Sequence, residues 1–141
     1  MLTNSEQARV LNELSELCHA ANRRWWGDLT KPCMYCSTQG CSACEFIGYT
    51  KKQRNIGELL MLCTSELAEA MEGHRKNLMD THLPHRPMIE VELADCLIRI
   101  FDLCAGLKLD VGGAFVEKTG YNAQRADHKI EARLAPGGKQ Y

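Results

Sequence analysis

Two acidic pairs constrain this chain more than any other feature: Glu66 with Glu69 in SELAEAMEG, and Glu92 with Asp95 in VELADCLIR. Each pair is spaced i, i+3, which on a helix puts both carboxylates on one face about a turn apart. The stretches that carry them have helical period. Leu59, Leu60, Cys63, Leu67, Ala70 and Met71 form one apolar stripe, and Ile89, Leu93, Cys96, Leu97, Ile100 and Cys104 form another. Glu66 borders the first stripe, Glu69 lies just beyond it, and Glu72 points away. Gly73 projects between Glu66 and Glu69 and is expected to leave room for a ligand. On the second stretch Glu92, Asp95, Arg99 and Asp102 share the side away from the stripe.

Consecutive helices with a short connection are antiparallel neighbours, so the two pairs are expected to meet. Two unit charges ~4 Å apart repel by roughly 4 kcal/mol at an effective dielectric near 20. A hard divalent cation with oxygen ligands relieves that repulsion. Di-iron sites in bundles use Glu-x-x-His pairs, and none occurs here. An all-oxygen donor set therefore favours Mg²⁺ or Mn²⁺. The competing reading is a pair of solvated helix faces, with Asp95 and Arg99 as an ordinary i, i+4 ion pair worth about 0.3–0.5 kcal/mol.

Four helices are expected: 5–26, capped by Asn4 or Ser5; 56–79, ended by the prolines of THLPHRP; 88–106, stopped at Gly106; and about 109–127, starting near Asp110. No strand pattern or repeat is present. The expected fold is all-α, a four-helix bundle-like single domain over 1–141, with an insertion at 27–55. A net charge of -1 gives no global pull toward nucleic acid or membrane. No apolar run spans a bilayer and the N-terminus does not read as a signal peptide, so a cytoplasmic protein is expected.

The insertion holds Cys33, Cys36, Cys41 and Cys44 as C-x-x-C, four residues, C-x-x-C. Two such knuckles supply four thiolates for a tetrahedral structural Zn²⁺; an Fe–S cluster or unmetallated redox cysteines are the alternatives. A closed Cys₄ site would staple a loop too short and polar for its own core. The other cysteines, Cys18, Cys63, Cys96 and Cys104, fall in helical segments and read as small buried hydrophobes. In the last helix Lys118, Asn122 and Arg125 share a face at i, i+4, i+7. A cation, an amide and a guanidinium there suit phosphate oxygens, against the plainer reading of a solvated polar face.

Glu-x-x-Glu, a gap of 22 residues (70–91), Glu-x-x-Asp and then Lys-x-x-x-Asn-x-x-Arg resemble the MazG-like all-α nucleoside triphosphate pyrophosphohydrolases. The resemblance covers about 5–26 and 53–130; the cysteine loop lies outside the family pattern. It implies Mg²⁺-dependent cleavage of a (d)NTP between the α and β phosphates, giving a nucleoside monophosphate and pyrophosphate. It also implies a homodimer or homotetramer. Carried over by position, Glu66, Glu69, Glu92 and Asp95 are metal ligands, with Glu69 the choice for an added role as base. Lys118, Asn122 and Arg125 are phosphate contacts. The first helix implies a nucleobase pocket at His19, Asn22, Trp25 and Trp26, in which Trp26 is the better stacking residue because Trp25 continues the apolar stripe. A rival reading is a non-catalytic helical oligomer that binds nucleic acid or protein through the cysteine loop.

Overall fold

Asn55 starts the helix that carries the first acidic pair. Its side chain accepts hydrogen bonds from the backbone N–H groups of Gly57 and Glu58, satisfying donors that a helix start leaves open. The computed structural model describes residues 2–27, 30–32, 35, 39, 41–42, 49–51, 54–125 and 129–137. Most of these are helical: α1 (Asn4–Asn22), α2 (Arg24–Gly27), α3 (Ile56–Lys76), α4 (Met88–Gly106), α5 (Val111–Gln124) and α6 (Ile130–Leu134). Two three-residue strands, β1 (Thr30–Pro32) and β2 (Tyr49–Lys51), pair antiparallel with Thr30 opposite Lys51. This short ladder was not expected from the sequence, because three residues are too few to show alternation. Cys33, Cys36 and Cys44 lie outside the described residues and Cys41 within them, so the Zn²⁺ expectation falls outside what the structure describes.

The chain divides into two compact units, Met1–Leu14 with Leu109–Tyr141, and Ser15–Lys108. In the first, Thr3 rather than Asn4 or Ser5 caps α1. Its hydroxyl meets the Glu6 N–H at 3.3 Å while Glu6 Oε2 accepts from the Thr3 N–H at 2.7 Å, a reciprocal capping box. Asp110 caps α5 by accepting from the Gly113 N–H, and Asn12 ties the two helices together. The Asn12 amide donates to Asp110 Oδ1 and its oxygen accepts from the Gly112 N–H, both at 2.8 Å. A side chain at Gly112 would run into the Ala8 carbonyl, so this glycine sets how closely α5 approaches α1.

In the second unit α3 packs on α4. Gly73 lies against Met88, the Cys96 thiol donates to the Cys63 carbonyl, and Arg99 reaches Glu66, an antiparallel arrangement. The connection is fixed by a bridge between Met79 and Pro87 and by buried Asp80, whose carboxylate accepts from the N–H groups of His82 and Leu83. Three expectations are corrected here. The second helix ends at Lys76, not 79, because Asn77 turns into the left-handed region (φ 51°) and caps it. The first helix breaks at Arg23, and Arg24–Gly27 form a separate turn. Gly73 does not make room for a ligand: a Cβ there would come within 2.9 Å of Met88 Cβ, so the missing side chain admits α4 instead.

The contact between α3 and α4 buries Cys63, Glu66, Ala70 and Gly73 on one side and Glu92, Cys96, Leu103 and Cys104 on the other. Burial pushes the Cys63 and Cys104 thiols up, as it does Cys18, which keeps them protonated and inert. Leu60, Leu67 and Met71, the far half of the α3 stripe, stay exposed, as do Leu93 and Leu97 on α4. Among the described residues no helix is long and apolar enough to cross a membrane.

Candidate functional site

Three carboxylates converge where α3 crosses α4. One oxygen from each of Glu66, Glu69 and Glu92 falls within 4.8 Å of the others. The i, i+3 spacing on α3 brings Glu66 and Glu69 to one flank, and antiparallel packing delivers Glu92 opposite. Glu66 and Glu92 are only 6 % and 7 % exposed, whereas Glu69 faces solvent. Burial comes first in pushing the Glu92 carboxyl up from 4.5 to about 7, followed by the charge of Glu69, a hydrogen bond with Glu66, and the charges of Glu66 and Asp95. Such a cluster of oxygen donors can hold a metal ion.

Arg99 is the counter-charge already present. Its Nε donates to Glu66 Oε1 at 2.7 Å, across the helix pair. The sequence offered Asp95 as an i, i+4 partner for this arginine, but α3 presents a buried carboxylate, where a charge pair is less screened. Asp95 is exposed and does not belong to the group of three within 4.8 Å; it lines an adjoining cavity. Glu72 pairs with Lys76 along the helix, apart from the cluster.

That cavity has a volume of about 430 Å³, within the range of small-molecule sites. Trp25, Trp26, Leu59, Leu62, Ile98 and Leu103 supply its apolar walls. Asn22, Arg54, Asp95, Arg99 and Asp102 supply its polar groups. Asp102 organises one end. Its Oδ1 accepts from the Trp26 indole N–H and from His19 Nδ1, each at 2.8 Å. The His19 ring meets Trp26 edge-on at 5.2 Å, and the Arg54 guanidinium lies 5.6 Å over the same indole. The indole also covers Gly106, the last residue of α4, where a side chain would clash with the ring.

Both tryptophans line the cavity, and they differ in how they are held. Trp26 is fixed by a hydrogen bond, a histidine edge and an arginine, while Trp25 is 44 % exposed on the cavity wall. The apolar stripe pointed Trp25 inward, but the helix breaks at Arg23 and the period does not carry across the break. Asn22 lines the cavity as expected; His19 reaches it through Asp102 and Trp26. Asp102 was not among the expected site residues, although its spacing put it on one side of the helix with Asp95 and Arg99, which also line the cavity. Arg54 ends the basic run Lys51, Lys52 and Arg54, which on sequence reads as a reach toward the outer phosphates or as a solvated face; packing lays it over the Trp26 ring instead.

Lys118, Asn122 and Arg125 belong to the other unit. There the Lys118 ammonium sits 4.8 Å from the centre of the Tyr121 ring. The side-chain oxygen of Asn122 is buried without a hydrogen-bond partner and borders a second cavity with Thr119 and Lys129. Comparison of the chain with protein families, curated proteins and solved structures finds no match.

Proposed function

We propose that this protein is a Mg²⁺-dependent nucleoside triphosphate pyrophosphohydrolase of the MazG-like all-α class, cleaving a (d)NTP to the monophosphate and pyrophosphate. The observation that carries the reading is the convergence of Glu66, Glu69 and Glu92 beside an indole-lined cavity of small-molecule size. Mg²⁺, or Mn²⁺ in its place, would supply neutralisation of phosphate charge and acidification of a water. Glu66, Glu69 and Glu92 would hold it, with Asp95 as the carboxylate between cluster and cavity. Glu69, the solvent-facing member, is the choice for taking a proton from the attacking water. Trp25 forms a wall against which a base stacks, while Trp26 and His19 hold Asp102 in position. Lys118, Asn122 and Arg125 are proposed to contact the outer phosphates, Lys118 and Arg125 by charge and Asn122 through its amide N–H.

The exposed apolar residues Leu60, Leu67, Met71, Leu93 and Leu97 support a second copy covering that flank, in a homodimer or homotetramer. Incubation of the purified protein with each (d)NTP and Mg²⁺ should release pyrophosphate. Glu66→Gln and Glu69→Gln should each abolish that release. Full turnover in excess EDTA is the result that defeats the proposal.

A further inference from the structure

The polar groups of the cavity are arranged unequally, and the inequality bears on which base would fit. Asp102 Oδ1 is engaged by two donors, the Trp26 indole N–H and His19 Nδ1. Among the described residues Asp102 Oδ2 has no hydrogen bond, although Asp102 lines the cavity. An ionised carboxylate only accepts, so this corner calls for a ligand N–H. Asn22, on the same cavity, commits one amide hydrogen to the Cys18 carbonyl at 3.1 Å, which leaves its oxygen and its second amide hydrogen for a ligand and so does not oppose the demand set by Asp102. The opposite requirement comes from Arg54. Its Nε–H is buried with no acceptor among the described residues, while its guanidinium lies over Trp26 on the same cavity wall. A buried charged donor without an acceptor is costly, and a ligand oxygen or ring nitrogen relieves it. Of the remaining charged groups that line the cavity, Arg99 is engaged by Glu66 and Asp95 lies on the side of the acidic cluster.

We infer that this cavity selects nucleobases that carry an amino group, with Asp102 as the specificity-determining acceptor and Arg54 as the matching donor. The inference rests on the reading of the chain as a nucleotide pyrophosphohydrolase. Cytosine and uracil show the logic most simply. Cytosine offers its N4 amino group to Asp102 and its N3 and O2 acceptors to Arg54. Uracil reverses the first two: O4 would face a carboxylate and N3–H would face a guanidinium. Adenine and guanine also pair an amino group with ring acceptors or a carbonyl, whereas thymine shares the uracil pattern.

The test uses the reaction products, which need no turnover. CMP and UMP are titrated into the full-length protein with Mg²⁺, followed by tryptophan fluorescence and calorimetry. CMP should bind at least about tenfold more tightly than UMP, since a misplaced polar group in a desolvated site costs that much or more. N4,N4-dimethyl-CMP, which lacks the donor, should lose that advantage on the unaltered protein. Asp102→Asn keeps an oxygen for Trp26 and His19 but replaces the free acceptor with a donor. It should bring the CMP/UMP ratio to about one or below with the melting temperature held. Equal binding of CMP and UMP, an unchanged ratio in Asp102→Asn, or undiminished binding of the dimethyl analogue overturns the inference. Failure of every monophosphate to bind overturns it as well. In that case pyrophosphate release from the triphosphate panel by the same preparation shows that the parent reading stands, and no release shows that both fall.

Discussion

Replacing Glu92 with glutamine should stabilise the metal-free protein at alkaline pH, the reverse of what removing a buried native side chain usually does. Two related quantities set the scale, the charge repulsion and the shift that contains it together with burial. Carboxylate oxygens 4.8 Å apart repel by about 3.5 kcal/mol per pair of full charges at an effective dielectric of 20. The Glu92 carboxyl, raised from 4.5 to about 7, corresponds to about 3.4 kcal/mol at ~1.4 kcal/mol per pH unit. Because the folded value lies above the unfolded one, protonated Glu92 contributes stability that is fully present below pH 4.5. That contribution is lost as pH rises through about 7. Glutamine stays neutral throughout. In EDTA, urea denaturation followed by circular dichroism should therefore find Glu92→Gln more stable than wild type by up to about 3 kcal/mol at pH 8. The difference should shrink to about 0.8 kcal/mol at pH 5 and to near zero by pH 4. With Mg²⁺ at about 1,000 times its Kd the order should reverse, since that adds about 4.1 kcal/mol to a protein that binds it and little to one that does not. A variant less stable than wild type in EDTA by the same amount at pH 5 and pH 8 would refute the account of Glu92 as a repelled, buried acid.

Four further outcomes are expected. Asn55→Ala removes the cap of α3 and should cost about 1 kcal/mol in denaturant titration, with the metal-linked increment unchanged. Gly73→Ala puts a Cβ against Met88 and should destabilise by about 1–3 kcal/mol through overpacking of the α3–α4 crossing. Trp26→Ala should lower the melting temperature because it leaves Asp102 and His19 without their common partner, whereas Trp25→Ala should leave stability near wild type and raise KM. Elemental analysis should find about one zinc per chain, lost in Cys36→Ser, if the C-x-x-C pairs form a structural Cys₄ site.

Sequence period alone determined the longer helices α3, α4 and α5 and most of α1, because a 3.6-residue repeat of apolar side chains is a local property of the chain; α2 and α6 are too short to show it. The span Met88–Gly106 was legible to the residue, and so was the pairing of Glu66 with Glu69 on one face. The helix ends were less so. Thr3 and Asn77 take those positions through backbone geometry that neighbouring polar residues could equally have adopted. The site itself divides along the same line. The carboxylates announced themselves by spacing, but tertiary packing decided that Glu92 is buried against Glu66 and Glu69, that Arg99 crosses to Glu66 rather than staying with Asp95, and that the Glu92 carboxyl is pushed up to about 7. Packing also placed Arg54, Trp26, His19 and Asp102 in one cluster although up to 83 residues separate its hydrogen-bonded members. No local pattern records such a meeting, because burial and pairwise distance are properties of the folded chain and not of any window of sequence.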